Sequence, residues 1–567
     1  MDAETLSNSF KPDELTTVVA VKAFKAGDPL VISEPVNDRT PRAKADLLLV
    51  KLNVGPGNPG PADAPSTSPG IGVEVWLPSA ANWDGRVHAL GGNGWSGGDA
   101  GSPVRVANSM FAADVAAAEG SVVSTCDSGH TGARRDLGGV AASNGDFAMD
   151  PDGALSPRQW EDFSSRCLEQ QALKTKALAA FYYGRPARRA YFEGLSLGGR
   201  QGYKLAQRYP ELYDGIVAVM PALHWTRFFT ASLYNDLLYL QDLGGVKLTE
   251  GQMDLVSNAA LRAGDLVAGE HLGYIMDPST CRYDPTQDPD IICVSDGGRS
   301  TSPHCVTRAQ AAVINKMWYG MTSDGSAPSP AVDNGWDRPI EGTRRWYGRP
   351  RSTSLYSAAM QRLFGITPGA TGPDMVALEL QNPTMAQEGF RNATGDGADM
   401  WKTLSYPQLS NAFDRGLALQ SVLDDINTDD PDLSAFKARG GKILTWHGLN
   451  DEAIPVQGTI DYYEAVVASI GGTAAVESFL KLYLVPGVGH FAGNGTSDPD
   501  ASPPVVAWGQ FYRLLVDWVE NGAEPGRIEI ETPPAAPIRI MQPIFPYPKK
   551  PKYVGGDPRV SDSWAST

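Results

Sequence analysis

Positive charge is scarce in this chain, long apolar runs are missing, and its cysteines lack metal-ligand spacing. The 567 residues carry 48 Lys plus Arg against 65 Asp plus Glu, a formal charge of -17. A surface of that sign repels phosphate backbones and anionic headgroups, so nucleic acid is not an expected partner. No apolar run reaches the roughly 18 residues that a membrane-crossing helix needs, and MDAETLSNSF lacks the basic and apolar regions of a signal peptide. No membrane partner is expected, and any signal peptide was removed or never existed. Of the 5 cysteines, Cys126 and Cys167 stand alone, while Cys281, Cys293 and Cys305 fall close together without a CxxC pair. Zinc is therefore not expected, nor any other metal. The simplest arrangement is one local bridge, Cys293 to Cys305 for example, with the remaining thiols buried.

What is present describes a globular protein rich in loops: 42% hydrophobic, 20% charged, 61 Gly and 43 Pro. The length exceeds one ordinary core. TTVVAVKAF, DLLLVKLNV, IGVEVWLP and RVHAL read as strands. A long helix and the run RRAYFEGLSLGGRQGYKLAQRYP then give the strand–turn–helix order of a parallel sheet. That grammar stops after DGIVAVMPA and returns at GGKILTWHGLNDEAIP. The expected units are residues 1–223 and 438–567, two parts of one α/β core, with 224–437 inserted between them. The Pro-rich C-terminal tail is expected to wrap the surface in extended form.

The sharpest chemical motif is Gly194-Leu195-Ser196-Leu197-Gly198, a G-x-S-x-G between a strand and a helix. Such a turn holds a serine in strained backbone geometry with its hydroxyl exposed, as in the nucleophile elbow of α/β-hydrolases; the competing reading is an ordinary tight turn. A hydroxyl attacks only when a base takes its proton, so a histidine and an orienting carboxylate must accompany it. In this fold they follow in the order Ser, acid, His. Only two of the 7 histidines lie beyond residue 305, and only His490 follows the carboxylates of HGLNDEAIP. Asp451 is the expected acid, with Glu452 its competitor and His447 a structural residue at a strand end. GGNGWSGG, directly after RVHAL, is suited to an oxyanion loop. One donor would be the Leu197 amide and the second an amide of the Gly92-Asn93-Gly94 stretch, which of them being beyond the sequence; a flexible hairpin loop is the alternative.

These segments, together with VVSTCDSGHTG, LVPGVGHFAG and QPIFPYPKKPKYVGG, resemble the tannase and feruloyl esterase family, which includes mono(2-hydroxyethyl) terephthalate hydrolase. The resemblance implies an α/β-hydrolase with a large inserted lid, a serine esterase acting on esters of aromatic acids, and Ser196, Asp451 and His490 as its triad. A small aromatic ester is the implied partner; the oligomeric state is not legible. The chain departs from the family in three ways. The cysteines that bridge the nucleophile and base segments are replaced by Leu195 and Phe491, so that disulfide cannot form. The lid pattern that binds calcium in the family reads GDLVAGEHLG at residues 264–273, with Ala268 and Leu272 where carboxylates are expected, so no cofactor is expected. Gly264 replaces the partner of Cys281, whereas Cys293 and Cys305 match a lid disulfide of the family. Loss of bridges favours a reducing cytoplasm, secretion being the alternative.

Lid aromatics, with Trp318, Trp346 and Trp401 as candidates, suit stacking on a planar acyl group, although most lid aromatics are expected to be core. RRWYGRPR at 344–351 reads as a solvated basic loop, or as a cation facing a substrate carboxylate. The rival functions are a serine hydrolase of another ester or amide, and a catalytically silent binding protein of the same fold.

Overall fold

The computed structural model describes residues 3–107, 111–131, 135–137, 140–142, 144–336, 338–351, 353–355, 371–490, 496 and 498–567. Nine strands form the main sheet: β1 (Thr16–Phe24), β2 (Leu47–Val54), β3 (Ile71–Pro78), β4 (Arg86–Leu90), β5 (Val122–Cys126), β6 (Arg189–Leu195), β7 (Gly215–Val219), β8 (Lys442–Gly448) and β9 (Leu480–Val485). Their spatial order is β1-β2-β3-β5-β4-β6-β7-β8-β9. The first three strands and β5 pair antiparallel; from β5 through β4 to β9 every pairing is parallel. Strands such as GIVAV are buried on both faces, as a covered parallel sheet requires.

Alternation along the strands divides the core. Phe192, Ile216 and Ile443 face α1 (Cys167–Tyr183), α2 (Leu197–Arg208) and a later helix, Val456–Ile470. Their sequence neighbours Tyr191, Val217 and Leu444 point the other way, onto Phe511, Leu515 and Trp518 of the helix Gln510–Asn521. The parallel strands thereby bring the C-terminal ends of β4, β6, β8 and β9 to one edge, where ligands meet open α/β sheets.

Between β7 and β8 the chain contributes no described residue to the main sheet. It forms helices instead, including α3 (Trp225–Asp242), α4 (Arg308–Tyr319) and α5 (Gly372–Leu380). Their apolar core is continuous with Trp95 of the glycine loop and with Leu197 beside the elbow. The C-terminal tail is more ordered than a surface wrap, because Ile528–Glu531 pairs with Met541–Ile544 and Pro551–Tyr553 with Trp564–Ser566.

Candidate active site

Ser196 stands between β6 and α2 with φ 62° and ψ -116°, a conformation that non-glycine residues rarely hold. Three backbone hydrogen bonds lock it: its N–H donates to Val219 O at 2.9 Å, and the Ala222 and Arg200 N–H groups donate to its carbonyl at 3.0 and 3.1 Å. The turn is tight enough that only glycine fits around it. A Cβ at Gly194 would lie 2.4 Å from the Gly198 carbonyl carbon, and one at Gly91 2.6 Å from the Gly198 Cα. These absent side chains let the glycine loop after β4 lie directly against the start of α2, where the Gly198 N–H donates to Gly92 O at 2.9 Å.

The loop is braced from below. The Gly92 N–H donates to Gln201 Oε1 at 2.9 Å. The Gly92 amide, within the stretch expected to supply the second oxyanion donor, is therefore engaged with Gln201. His130 lies stacked on Phe147 at 3.5 Å between centroids, with Nε2 donating to Trp95 O at 2.9 Å. Burial pushes its pKa down to about 3, against the smaller opposing effect of the Trp95 carbonyl, so the ring is neutral. His130 and Gln201 are positioning residues that sequence reasoning missed; the signal for the first was the CDSGHTG segment. His130→Ala should lower kcat about 10-fold with no change in the shape of the pH profile above pH ~5, because a neutral brace contributes no titration there. Steady-state kinetics across pH check both parts.

The expected acid and base come from the ends of neighbouring strands. Asp451 follows β8 and His490 follows β9, and Asp451 Oδ2 accepts from His490 Nδ1 at 2.7 Å. Asp451 Oδ1 accepts from the Ala453 and Ile454 amides at 2.8 and 2.7 Å. His447, expected to be merely structural, is fully buried and places Nε2 at 3.0 Å from Asp451 Oδ2, while its Nδ1 meets Thr459 Oγ1 at 2.9 Å. Burial works to raise the Asp451 pKa, but His490 and His447 outweigh it and hold the carboxyl well below its usual range. Burial likewise opposes protonation of His490, yet the Asp451 anion raises its pKa above the ordinary value. Glu452 does not meet the His490 ring nitrogen that Asp451 holds; its Oε2 accepts from the His490 backbone N–H at 2.9 Å. Phe491 lies outside the described residues; Leu195 is half-buried against the cluster that includes Val219 and Val488.

Trp318, Trp346 and Trp401 are 1%, 4% and 8% exposed and sit in the core of the inserted segment. The stretch 344–351 is not a solvated loop: Arg344, Arg349 and Arg351 are buried. Arg344 Nη2 donates to Gly335 O at 2.6 Å and Arg351 Nη1 to Asn315 Oδ1 at 2.7 Å, so the terminal guanidinium nitrogens find acceptors inside the fold. Cys293 and Cys305 are joined by a disulfide; Cys126, Cys167 and Cys281 are not bridged. A Cβ at Gly264 would lie 3.6 Å from the Cys281 sulfur.

The hairpin at 264–273 does not suit calcium. Asp265 Oδ1 is 2.6 Å from His271 Nδ1 and its Oδ2 accepts from the Gly273 N–H at 2.9 Å, so both oxygens are engaged. Leu272 is buried with Tyr274, Ile540 and Trp564. Calcium requires about six to eight oxygens, and among the described residues no group of three or more His, Cys, Asp and Glu is arranged to hold a metal. No helix among the described residues is long and apolar enough to cross a membrane.

Strand order and elbow together define an α/β-hydrolase. The family model for tannase and feruloyl esterase matches residues 60–566. The chain belongs to that family and is a carboxylic ester hydrolase. It is 31% identical over 497 residues to a probable feruloyl esterase of Arthroderma benhamiae, covering 87% of this chain and 82% of that protein. It is 29% identical over 530 residues to the mono(2-hydroxyethyl) terephthalate hydrolase of Piscinibacter sakaiensis, covering 85% and 79%. The crystal structure of feruloyl esterase B from Aspergillus oryzae superposes with TM-score 0.74 at 23% identity, covering 100% of this chain and 99% of that one.

Proposed function

We propose that this chain hydrolyses esters of aromatic carboxylic acids, of feruloyl, galloyl or terephthaloyl type, through an acyl-enzyme on Ser196. The observation that carries the reading is the 2.7 Å contact between His490 Nδ1 and Asp451 Oδ2 at the same C-terminal sheet edge as a strained serine elbow. The names of the relatives support the substrate class.

Asp451 keeps the His490 proton on Nδ1, which leaves Nε2 to take the Ser196 proton as Oγ attacks the ester carbonyl. The Leu197 amide and an amide of the glycine loop around Asn93 receive the developing oxyanion. The imidazolium then protonates the departing alcohol, and water, activated by the same histidine, releases the acid. Methyl ferulate, methyl gallate, a terephthalate monoester and p-nitrophenyl acetate form the test panel, with Ser196→Ala alongside. Turnover of an aromatic ester that the variant lacks supports the reading; turnover of the activated acetate alone defeats the substrate class. A catalytically silent scaffold would also show no labelling by a fluorophosphonate.

No calcium is needed in this reading, because His271 and Gly273 already engage the Asp265 carboxylate. The Tm in EDTA should match that in millimolar calcium within about 1 °C, since a cation that binds the native state raises Tm with its concentration. The unbridged Cys126, Cys167 and Cys281 favour a reducing compartment.

A further inference from the structure

We propose that Glu452 is a positioning residue that clasps the base loop to the acid loop, anchoring His490 in a chain whose base segment has no covalent link to the elbow. This rests on the Ser196–His490–Asp451 reading. Leu195 and Phe491 exclude a disulfide at the elbow and base, so the residue that must stay aligned, His490, needs another anchor.

The chain supplies it with two consecutive carboxylates. Asp451 holds the His490 ring at Nδ1, 2.7 Å away, and Glu452 holds the same residue at its backbone N–H, 2.9 Å away. One fixes the orientation of the ring and the other the position of the residue that carries it. The two loops are pressed together around this grip. The Leu449 N–H donates to Val485 O at 2.9 Å and the Asn450 N–H to Val488 O at 3.0 Å. A Cβ at Gly448 would lie 2.1 Å from Val488 O, so the approach permits only glycine.

Glu452 also acts through charge. Burial and the neighbouring Asp451 raise its pKa, while the His490 amide and ring act the other way. The buried Arg349 of the inserted segment is within electrostatic reach of Glu452 and Asp451, with Asp236 and Tyr239 of α3 behind it. His447 faces Asp451 from β8. Within this set the Glu452 anion favours protonated His490. Removing the charge lowers the pKa of the base, so activity persists to lower pH; a purely structural residue would change the rate and leave the limb in place.

The test is kcat, KM and the pH profile of Glu452→Gln and Glu452→Ala on the best substrate of the panel, with fluorophosphonate labelling of each protein. Glu452→Gln retains an acceptor for the amide but no charge. It should keep kcat within about 3-fold and move the acid limb of kcat/KM down by about 0.5–1 unit. Glu452→Ala should lose kcat about 10- to 100-fold with KM unchanged, the effect of one charge-assisted hydrogen bond expressed in alignment. Ser196 labelled with both variants behaving as wild type overturns the clasp alone. So does a fall in kcat for the Ala variant with no movement of the limb in the Gln variant. If Ser196 is not labelled in the wild type, the triad reading fails and the clasp with it.

Discussion

Asp451→Asn lowers kcat by on the order of 10⁴-fold while the chain still folds. The amide cannot hold the Nδ1–H tautomer, so His490 presents a proton to Ser196 in place of a lone pair. Here the effect is compounded. Asp451 Oδ2 accepts from His490 and from His447, and Oδ1 from two amides. An Asn can orient its oxygen toward only one of these sides, leaving a buried donor facing a donor at about 1–3 kcal/mol. A loss of kcat below 10-fold would show that another carboxylate, Glu452 first, serves as the acid. Thermal melting of the same variant, expected to fall by a few degrees, separates tautomer from unfolding.

Glu74→Ala destabilises the fold by about 3–5 kcal/mol, the largest stability effect expected of a single side chain away from the triad. Lys51 on β2 and Glu74 on β3 form an ion pair at 3.0 Å with side chains 0% and 1% exposed. The Glu74 carboxylate also accepts from Trp76 Nε1 at 2.8 Å and the Ala107 N–H at 2.7 Å. Lys51 donates to the carbonyls of Asp99 and Arg105, which ties the far end of the glycine loop to the sheet. Removing the anion strands the ammonium in an apolar interior. The double variant Lys51→Met with Glu74→Leu should recover much of the loss, since a packed apolar pair needs no solvation. Chemical denaturation of the three proteins decides it: a double variant no more stable than Glu74→Ala would mean that the carbonyl contacts of Lys51, not the charge, hold this region.

The elbow was legible in the sequence because its determinants are local: glycines around Ser196, a strand before and a helix after. Asp451 and His490 were legible from chain order, since so few histidines follow the insertion. The sheet followed from alternating apolar strands. What sequence could not show is pairing across distance. Whether an amide such as that of Gly92 is available depends on Gln201, which a helix brings to it. His447 reads as a strand end until the turn at Asp451 folds back onto it. The arginines of 344–351 look solvated in one dimension because the carbonyls that satisfy them, such as Gly335 O, come from other turns. The tryptophans of the inserted segment suit ligand stacking by type alone; burial sorts packing residues from others, and burial is a property of the folded chain.

Trp95 belongs to the glycine loop, yet it stacks on Phe229 at 5.6 Å and meets Trp225 edge-on at 5.3 Å, both from the inserted segment. The inserted segment is thus packed directly onto the glycine loop that follows β4. Grafting a foreign insertion onto this core, the obvious route to a new specificity, would disturb the transition-state site unless the partners of Trp95 travelled with it. Trp95, Trp225 and Phe229 are therefore a single aromatic seam that any exchange of the insertion has to inherit whole.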